Sequence, residues 1–498
     1  MRWKVVIGNL GSILKLFGFA FYLPIIPALY YQEAPLFYGM VPFNALVFLF
    51  MANFTITMGY PMEAFGKAED FHRNEAVVIV SSTWLFLALL SAVPFLIIGV
   101  FSSPVDAFFE AMSGMTTTGA TVLEYPLEQY PKSIHMWRAF LQWLGGMGVI
   151  VLSVAILSKL SRGGLTLLEA EAPGPSITRL KPKIMETSKI LWYIYGLLTL
   201  CMIILLLGVG TSFYDAVLHS FTTMSTGGFS SHTSGIGYFP SGVQWIIIFF
   251  MLMGGINFSL HYQLFKGNVK RALRNTELQV FLSIIIIGTA VVTYLLHGTG
   301  ISKIESFRLA FFQIVSFSSN TGYFSTNYDT WPELARAIIL ILMFIGASAG
   351  STGGGIKVLR VTLLIKMVIR SFQEFINPRR MLVVRMGGRV INENTLKMVS
   401  MFFLAYLFLF VICTIALIAM GMDILSGITA SVSALSNVGP GFGLVGPTQN
   451  YRVVPPAGRF LLSVMMWIGR LEIFTAVVLF NPNLYKERRM STVLRLRH

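Results

Sequence analysis

The sequence predicts an all-α polytopic membrane protein, and three observations carry that prediction. The first is composition: 498 residues are 55% hydrophobic and only 12% charged, with a mean hydropathy of +0.71, whereas soluble proteins carry about 25% charged residues. The second is a set of apolar runs long enough to cross a hydrocarbon layer of about 30 Å. The third is a recurrence of short glycine-centred loops, Thr118-Gly119-Ala120-Thr121, Thr226-Gly227-Gly228-Phe229, Thr321-Gly322-Tyr323-Phe324 and Val438-Gly439-Pro440-Gly441, roughly 95 to 120 residues apart. A repeat of that kind in a hydrophobic chain is a fold-level signal.

The elements follow in order. Val5–Leu29 is too long for a signal peptide and lacks a small-residue cleavage site, so it reads as a retained span. With Met40–Tyr60 it forms a leading hairpin over residues 1–65. The rest divides into four units of one plan: span, short segment, glycine loop, span. The units cover 75–160, 185–265, 275–370 and 395–482, and a basic tail occupies 483–498. Their main apolar runs are Val78–Phe101, Ile190–Val209, Trp245–Leu260, Leu278–Leu296, Met398–Met420 and Phe460–Phe480, and the total is about ten spans.

The short segments are Asp106–Thr116, Asp215–Ser225, Ser306–Ser318 and Asp423–Leu435. They cannot span a bilayer. Each begins at or beside an acidic residue, which suits the positive end of a helix and a capping role. The negative helix ends then point at the glycine loops. Glycine lets a loop turn its carbonyl oxygens toward a common axis, and a ring of carbonyls replaces the water around a monovalent cation. The pattern points to an ion pathway. Irregular backbone at this depth is tolerated only when buried or lining a wet cavity.

Charge placement sets orientation. Basic residues cluster in Lys159–Lys189, Lys266–Arg274, Lys366–Lys397 and Lys486–Arg497, while Phe229–Ser241 and Tyr323–Leu334 hold no Lys or Arg. This positive-inside pattern puts both termini in the cytoplasm. It also argues that the net charge of +15 serves topology and not nucleic acid. Cys201 and Cys413 sit in apolar runs as packing residues. The seven histidines show no ligand clustering, so no metal site and no cofactor is assigned. Convergent nucleophiles or acids at membrane depth are missing, which argues against an enzyme; a scaffold would not need four matched loops.

Together the motifs Met115-Thr116-Thr117-Thr118-Gly119-Ala120-Thr121, Ser225-Thr226-Gly227-Gly228-Phe229-Ser230, Asn437-Val438-Gly439-Pro440-Gly441-Phe442-Gly443, Gly350-Ser351-Thr352-Gly353-Gly354-Gly355-Ile356-Lys357 and Gly469-Arg470-Leu471-Glu472 resemble the Trk/Ktr/HKT superfamily of potassium transporters, most closely its bacterial TrkH-type members. The resemblance covers nearly the whole chain. It implies four membrane–pore-helix–membrane repeats in pseudo-fourfold symmetry around one pore. It implies a potassium filter at Thr117, Thr118, Gly119, Ser225, Thr226, Gly227, Asn320, Thr321, Gly322, Asn437, Val438 and Gly439, with Gly119, Gly227, Gly322 and Gly439 as key glycines. It also implies the bacterial inner membrane, a homodimer, and a separate cytosolic TrkA-type ring binding NAD(H) or ATP/ADP. Potassium would be substrate, with sodium as the rival ion. Four glycines resemble the potassium-permeable members, since serine at the first position goes with sodium transport. Asn320 and Tyr323 are larger than the usual occupants of the third loop.

Residues Gly346–Gly355 hold five glycines, two serines and a threonine between two apolar stretches. Glycine at that density breaks a helix. A phosphate loop would need Gly-Lys-Ser/Thr, and Ile356 separates Gly355 from Lys357. The resemblance assigns residues 346–356 the gate, with Gly346, Gly350, Ser351, Thr352, Gly353, Gly354, Gly355, Lys357 and Arg470 as its residues. Arg470 is expected near the middle of the last span, where a charge must face protein or water. Glu472, two residues on, faces elsewhere on a helix, so carbonyls of the glycine loop are the expected partners. Lys357 reads equally as a gate cation or an interface anchor. Glu124, Glu128, Asp329 and Glu333 fall near the predicted external mouth, either concentrating cations or as solvated loop charges. Whether transport is channel-like or coupled stays open.

Overall fold

The structure is a computed structural model that describes residues 1–36, 41–66, 73–160, 184–379 and 382–482. The tail 483–498 and most of the Lys159–Lys189 connector lie outside the described residues. Six helices are long and apolar enough to cross a membrane, including Glu75–Ile97, Ser188–Gly208, Thr276–His297 and Glu393–Ala419. Two bent pairs add two more. The 29-residue helix Lys132–Leu160 and the interrupted pair Glu333–Ile345 and Val358–Ile376 bring the total among the described residues to ten. These helices expose large apolar side chains such as Ile286 and Phe408, as helices that cross a membrane do.

The four short segments are helices: Pro104–Met115, Phe213–Met224, Lys303–Ser318 and Ile424–Ser436, here termed the first to fourth pore helices. Their capping differs from expectation. Asp423 does cap its helix, accepting from the Ser426 amide. In the second and third the cap is a serine, Ser212 or Ser302, with the acidic residue in the first turn. In the first, Pro104 opens the helix and Asp106 follows within the first turn. Proline suits that place because its missing N–H would be unpaired anyway.

Two expected continuous spans are broken. Ser241–Gly255 and Phe258–Phe265 meet at 103°, and Pro456–Arg470 and Ile473–Phe480 at 115°. Asn257 caps the helix after the first break, and Glu472 adopts φ +56° at the second. Hydropathy is blind to both because apolar residues flank each break.

Two large clusters make up most of the interior among the described residues, beside three small ones. One cluster joins the leading hairpin to the first and fourth repeats through Phe21, Phe109, Trp137, Met466 and Trp467. The other joins the second and third through Tyr195, Phe250, Phe281, Phe312 and Tyr323. Within the hairpin, Trp3–Gly18 packs on Phe43–Phe65 at glycine contacts: a Cβ on Gly11 would lie 2.5 Å from the Glu63 nitrogen and 2.7 Å from the Gly59 oxygen. Small residues permit such close approach where lipid offers little hydrophobic drive. Lys15 pairs with Glu63 across this seam. Trp137 stacks on Phe21 with centroids 4.5 Å apart, which ties the hairpin to the first repeat.

Candidate functional site

Each pore helix stops in the same way. After the last turn, Thr117, Thr226, Asn320 and Asn437 adopt φ of +53°, +52°, +58° and +56°. The next amide, of Thr118, Gly227, Thr321 or Val438, donates five residues back to Ser113, Thr222, Ser316 or Ser433, at 2.9, 2.8, 2.9 and 2.9 Å. The left-handed residue's own amide donates three residues back. This is a Schellman ending, here built on residues that carry a Cβ. Left-handed threonine is uncommon and strained, and such strain persists only where the surroundings enforce it.

One residue further on, Gly119, Gly228, Gly322 and Gly439 have φ of +83°, +79°, +73° and +110°. In the second loop the register is therefore shifted by one from the expectation: Gly228 matches Gly119, while Gly227 takes the place of Thr118, Thr321 and Val438. With two adjacent glycines, sequence could not tell which carries the left-handed conformation.

These glycines close a ring. A Cβ on Gly119 would sit 2.2 Å from the Gly227 carbonyl oxygen; on Gly228, 2.0 Å from that of Thr321; on Gly322, 1.7 Å from that of Val438; on Gly439, 2.7 Å from that of Thr118. Each glycine thus makes room for the carbonyl of the following repeat, and the fourth returns to the first. Residues beside the four carbonyls carry further oxygens. Thr117 Oγ1, Asn320 Oδ1 and Asn437 Oδ1 are buried without a hydrogen-bond partner among the described residues, an unusual condition for polar atoms. All four loops, through Gly119, Gly228, Gly322 and Pro440, line one shared recess.

The loop after Glu333–Ile345 lies against the ends of three pore helices. The Thr352 hydroxyl donates to the Met224 carbonyl, 3.1 Å. A Cβ on Gly353 would be 2.7 Å from the Ser319 oxygen, and one on Gly354 2.1 Å from the Ser436 oxygen. The loop is also pinned to the break in the second repeat: Ser348 N reaches Gly255 O at 3.1 Å, Thr352 N reaches Gly254 O at 3.3 Å, and Phe258 N reaches Gly350 O at 3.0 Å. Arg470 is buried and donates to Thr352 O at 2.7 Å and Gly145 O at 3.3 Å. Its partners are carbonyls, one of them in the glycine loop as expected. Its position is not mid-helix, however, but the last residue before the 115° break. Glu472 instead pairs with Arg360 at 2.8 Å and Lys357 at 3.7 Å. Lys357 is buried at the start of Val358–Ile376 with φ +80°.

Comparison with known proteins fits this geometry. A family model described as TrkH, cation transport protein, matches residues 44–488. The chain belongs to the TrkH family. It is 37% identical over 499 residues to the Trk system potassium uptake protein TrkH of Salmonella typhimurium, covering 98% of this chain and 100% of the relative. It is 36% identical to that of Escherichia coli K12, with the same coverage. The crystal structure of the potassium transporter TrkH from Vibrio parahaemolyticus superimposes with a TM-score of 0.87 at 35% identity, covering 98% of this chain and 100% of that one.

In this TrkH-family chain the acidic residues near the recess are engaged. Glu124 pairs with Arg452 at 2.8 Å; Asp329 and Glu333 both pair with Arg336. Glu128 accepts from the Thr233 amide and hydroxyl; burial works to raise its pKa, but those bonds outweigh it and hold the carboxyl below its usual value. Sequence reading missed Gln142, whose Nε2 donates to the Gly227 carbonyl at 2.6 Å and whose Oε1 accepts from the Phe229 amide. It also missed Tyr451, which donates to Gly439 O at 2.7 Å. Neither carries a local signal. Tyr323 is large because its hydroxyl reaches across the repeat boundary to Thr222.

Proposed function

We propose that this chain is a potassium uptake protein of the membrane, and that the carbonyls of Thr118, Gly227, Thr321 and Val438 form its selectivity filter. The closed ring of glycine-to-carbonyl contacts carries the reading. Four carbonyls held rigidly by neighbouring repeats can replace the hydration shell of a monovalent cation. Four pore-helix C-termini contribute negative dipole ends to the same place. The oxygens of Thr117, Asn320 and Asn437 extend the polar path below the ring. The relatives are named as potassium uptake proteins, which supports potassium as the ion.

The gate is the loop 346–356. It sits against the ends of three pore helices, and Arg470 latches it through Thr352. A latch on a carbonyl is reversible, so a shift at either partner frees the loop. The four repeats, the inner-membrane setting, the cytoplasmic termini, the homodimer and the cytosolic TrkA-type nucleotide-binding ring complete this reading. The membrane potential drives entry with about 2.3 kcal/mol per charge per 100 mV.

The test is cation flux into proteoliposomes at a set potential, with sodium as competitor. Wild type is expected to follow the potential and prefer potassium, and Gly119→Ser to lose that preference. Equal potassium and sodium flux in wild type, unchanged by Gly119→Ser, would overturn the filter assignment in favour of an unselective cation pathway.

A further inference from the structure

The ring needs supports behind it, and the repeats supply them at one register. Nine residues before each ring glycine stand Glu110, His219, Gln313 and Ala430. In three of the four, the side chain reaches the strand just beyond the glycine. Glu110 accepts from the Thr121 hydroxyl at 2.9 Å and the Val122 amide at 2.9 Å. His219 Nε2 meets the Ser230 hydroxyl at 3.2 Å. Gln313 Nε2 donates to the Tyr323 carbonyl at 3.0 Å. All three are buried. In the fourth repeat Ala430 cannot reach, and Tyr451 and Ser433 hold the Gly439 carbonyl instead.

The first repeat alone among the four carries a carboxylate at this register. Glu110 is fully buried, and a charge there is costly unless paired. Its partner is Arg138, whose Nε lies 2.7 Å from Glu110 Oε1. Arg138 does not stop at Glu110. Its Nη2 donates to Thr121 Oγ1 at 3.2 Å and its Nη1 to the Ser230 carbonyl at 3.4 Å. Its guanidinium covers the Phe229 ring, 3.9 Å from the centroid. One ion pair therefore joins the first pore helix, the strand after Gly119 and the strand after Gly228. Charge-assisted bonds of this kind are shorter and stronger than neutral ones.

We propose that the Glu110–Arg138 pair is a selectivity-positioning clamp, which fixes the spacing between the first and second filter loops and so the potassium-over-sodium preference. The proposal rests on the filter assignment above. A hydrogen-bonded pair touching both strands resists the ring contraction that a smaller ion would need. Without it, the Gly119–Gly227 contact, where a Cβ would find only 2.2 Å, loses its backing on one side.

The test uses the full-length chain in proteoliposomes and reads the potassium-to-sodium permeability ratio beside the melting temperature. Glu110→Gln alone leaves Arg138 buried without its counter-charge and risks misfolding. The decisive variants are E110L/R138M, which removes both charges, and T121V, which keeps the pair but cuts the hydroxyl link to the strand. Both are expected to fold and to lower the ratio about three- to tenfold. Wild-type ratio in a folded E110L/R138M would overturn the clamp. If that variant fails to fold, E110Q/R138Q, which removes both charges at similar side-chain size, decides in its place beside T121V, and an unchanged ratio in both overturns the clamp. Gly119→Ser in parallel separates the two readings: a changed ratio there with unchanged clamp variants refutes the clamp, and an unchanged ratio there refutes the filter.

Discussion

Replacing Gly228 by alanine tests the ring at the position where structure and sequence part. At φ +79° a side chain meets the strain of the left-handed region, about 1–2 kcal/mol. The new Cβ would also stand 2.0 Å from the Thr321 oxygen, whereas real Cβ atoms essentially never approach closer than 3.0 Å. The carbonyl must retreat by about 1 Å or the loop must distort. Strain alone lowers the ratio of intact to distorted ring about 5–30-fold, and carbonyl retreat lowers it further. Gly227→Ala differs: its φ is not in the left-handed region, and its Cβ would meet the Gln142 side chain at 2.3 Å, which can swing aside at the cost of its bonds to Gly227 O and the Phe229 amide, about 1 kcal/mol each, with no backbone strain added. Potassium flux into proteoliposomes at fixed potential, normalised to folded protein, should fall at least fivefold for Gly228→Ala and distinctly less for Gly227→Ala. Near wild-type flux in Gly228→Ala, with the larger loss in Gly227→Ala, would refute the register and the ring drawn from it.

Arg470→Gln loses most of the latch on Thr352 O, so partner-free potassium flux should rise; flux that stays at the wild-type baseline in well-folded protein would count against the latch. Asp106→Asn strips the counter-charge from Arg459, a buried pair linking the first pore helix to Pro456–Arg470, and should cost about 3–5 kcal/mol, seen as a large drop in melting temperature in detergent. Trp137→Ala empties the site between Phe17, Phe21 and Phe48 at a cost of about 3–5 kcal/mol. The hairpin should then become protease-sensitive before the four repeats do, and simultaneous loss of both would argue against separable packing.

Much of this was legible in the sequence because it is local. Hydropathy reports span length, so the polytopic class, the leading hairpin and the short pore helices follow from runs of apolar residues. Glycine density reports helix interruption, so the loop 346–356 could be found from composition. The four glycine loops announce a repeat because each must make the same left-handed turn. The tertiary structure alone decided what depends on neighbours far along the chain. Gly228 and not Gly227 faces the next repeat's carbonyl, because the Thr321 oxygen is there to be accommodated. Arg470 finds Thr352 across 118 positions, and Asn437 donates to Thr118 across 319. Gln142 and Glu110 read as ordinary residues in their own helices and gain a role only when the repeats close on one another. The breaks at Asn257 and Glu472 were hidden too, since apolar sequence on both sides is the same whether a helix runs on or turns through a right angle. A ring is a relation among four segments, and local pattern fixes each segment but not the register in which they meet.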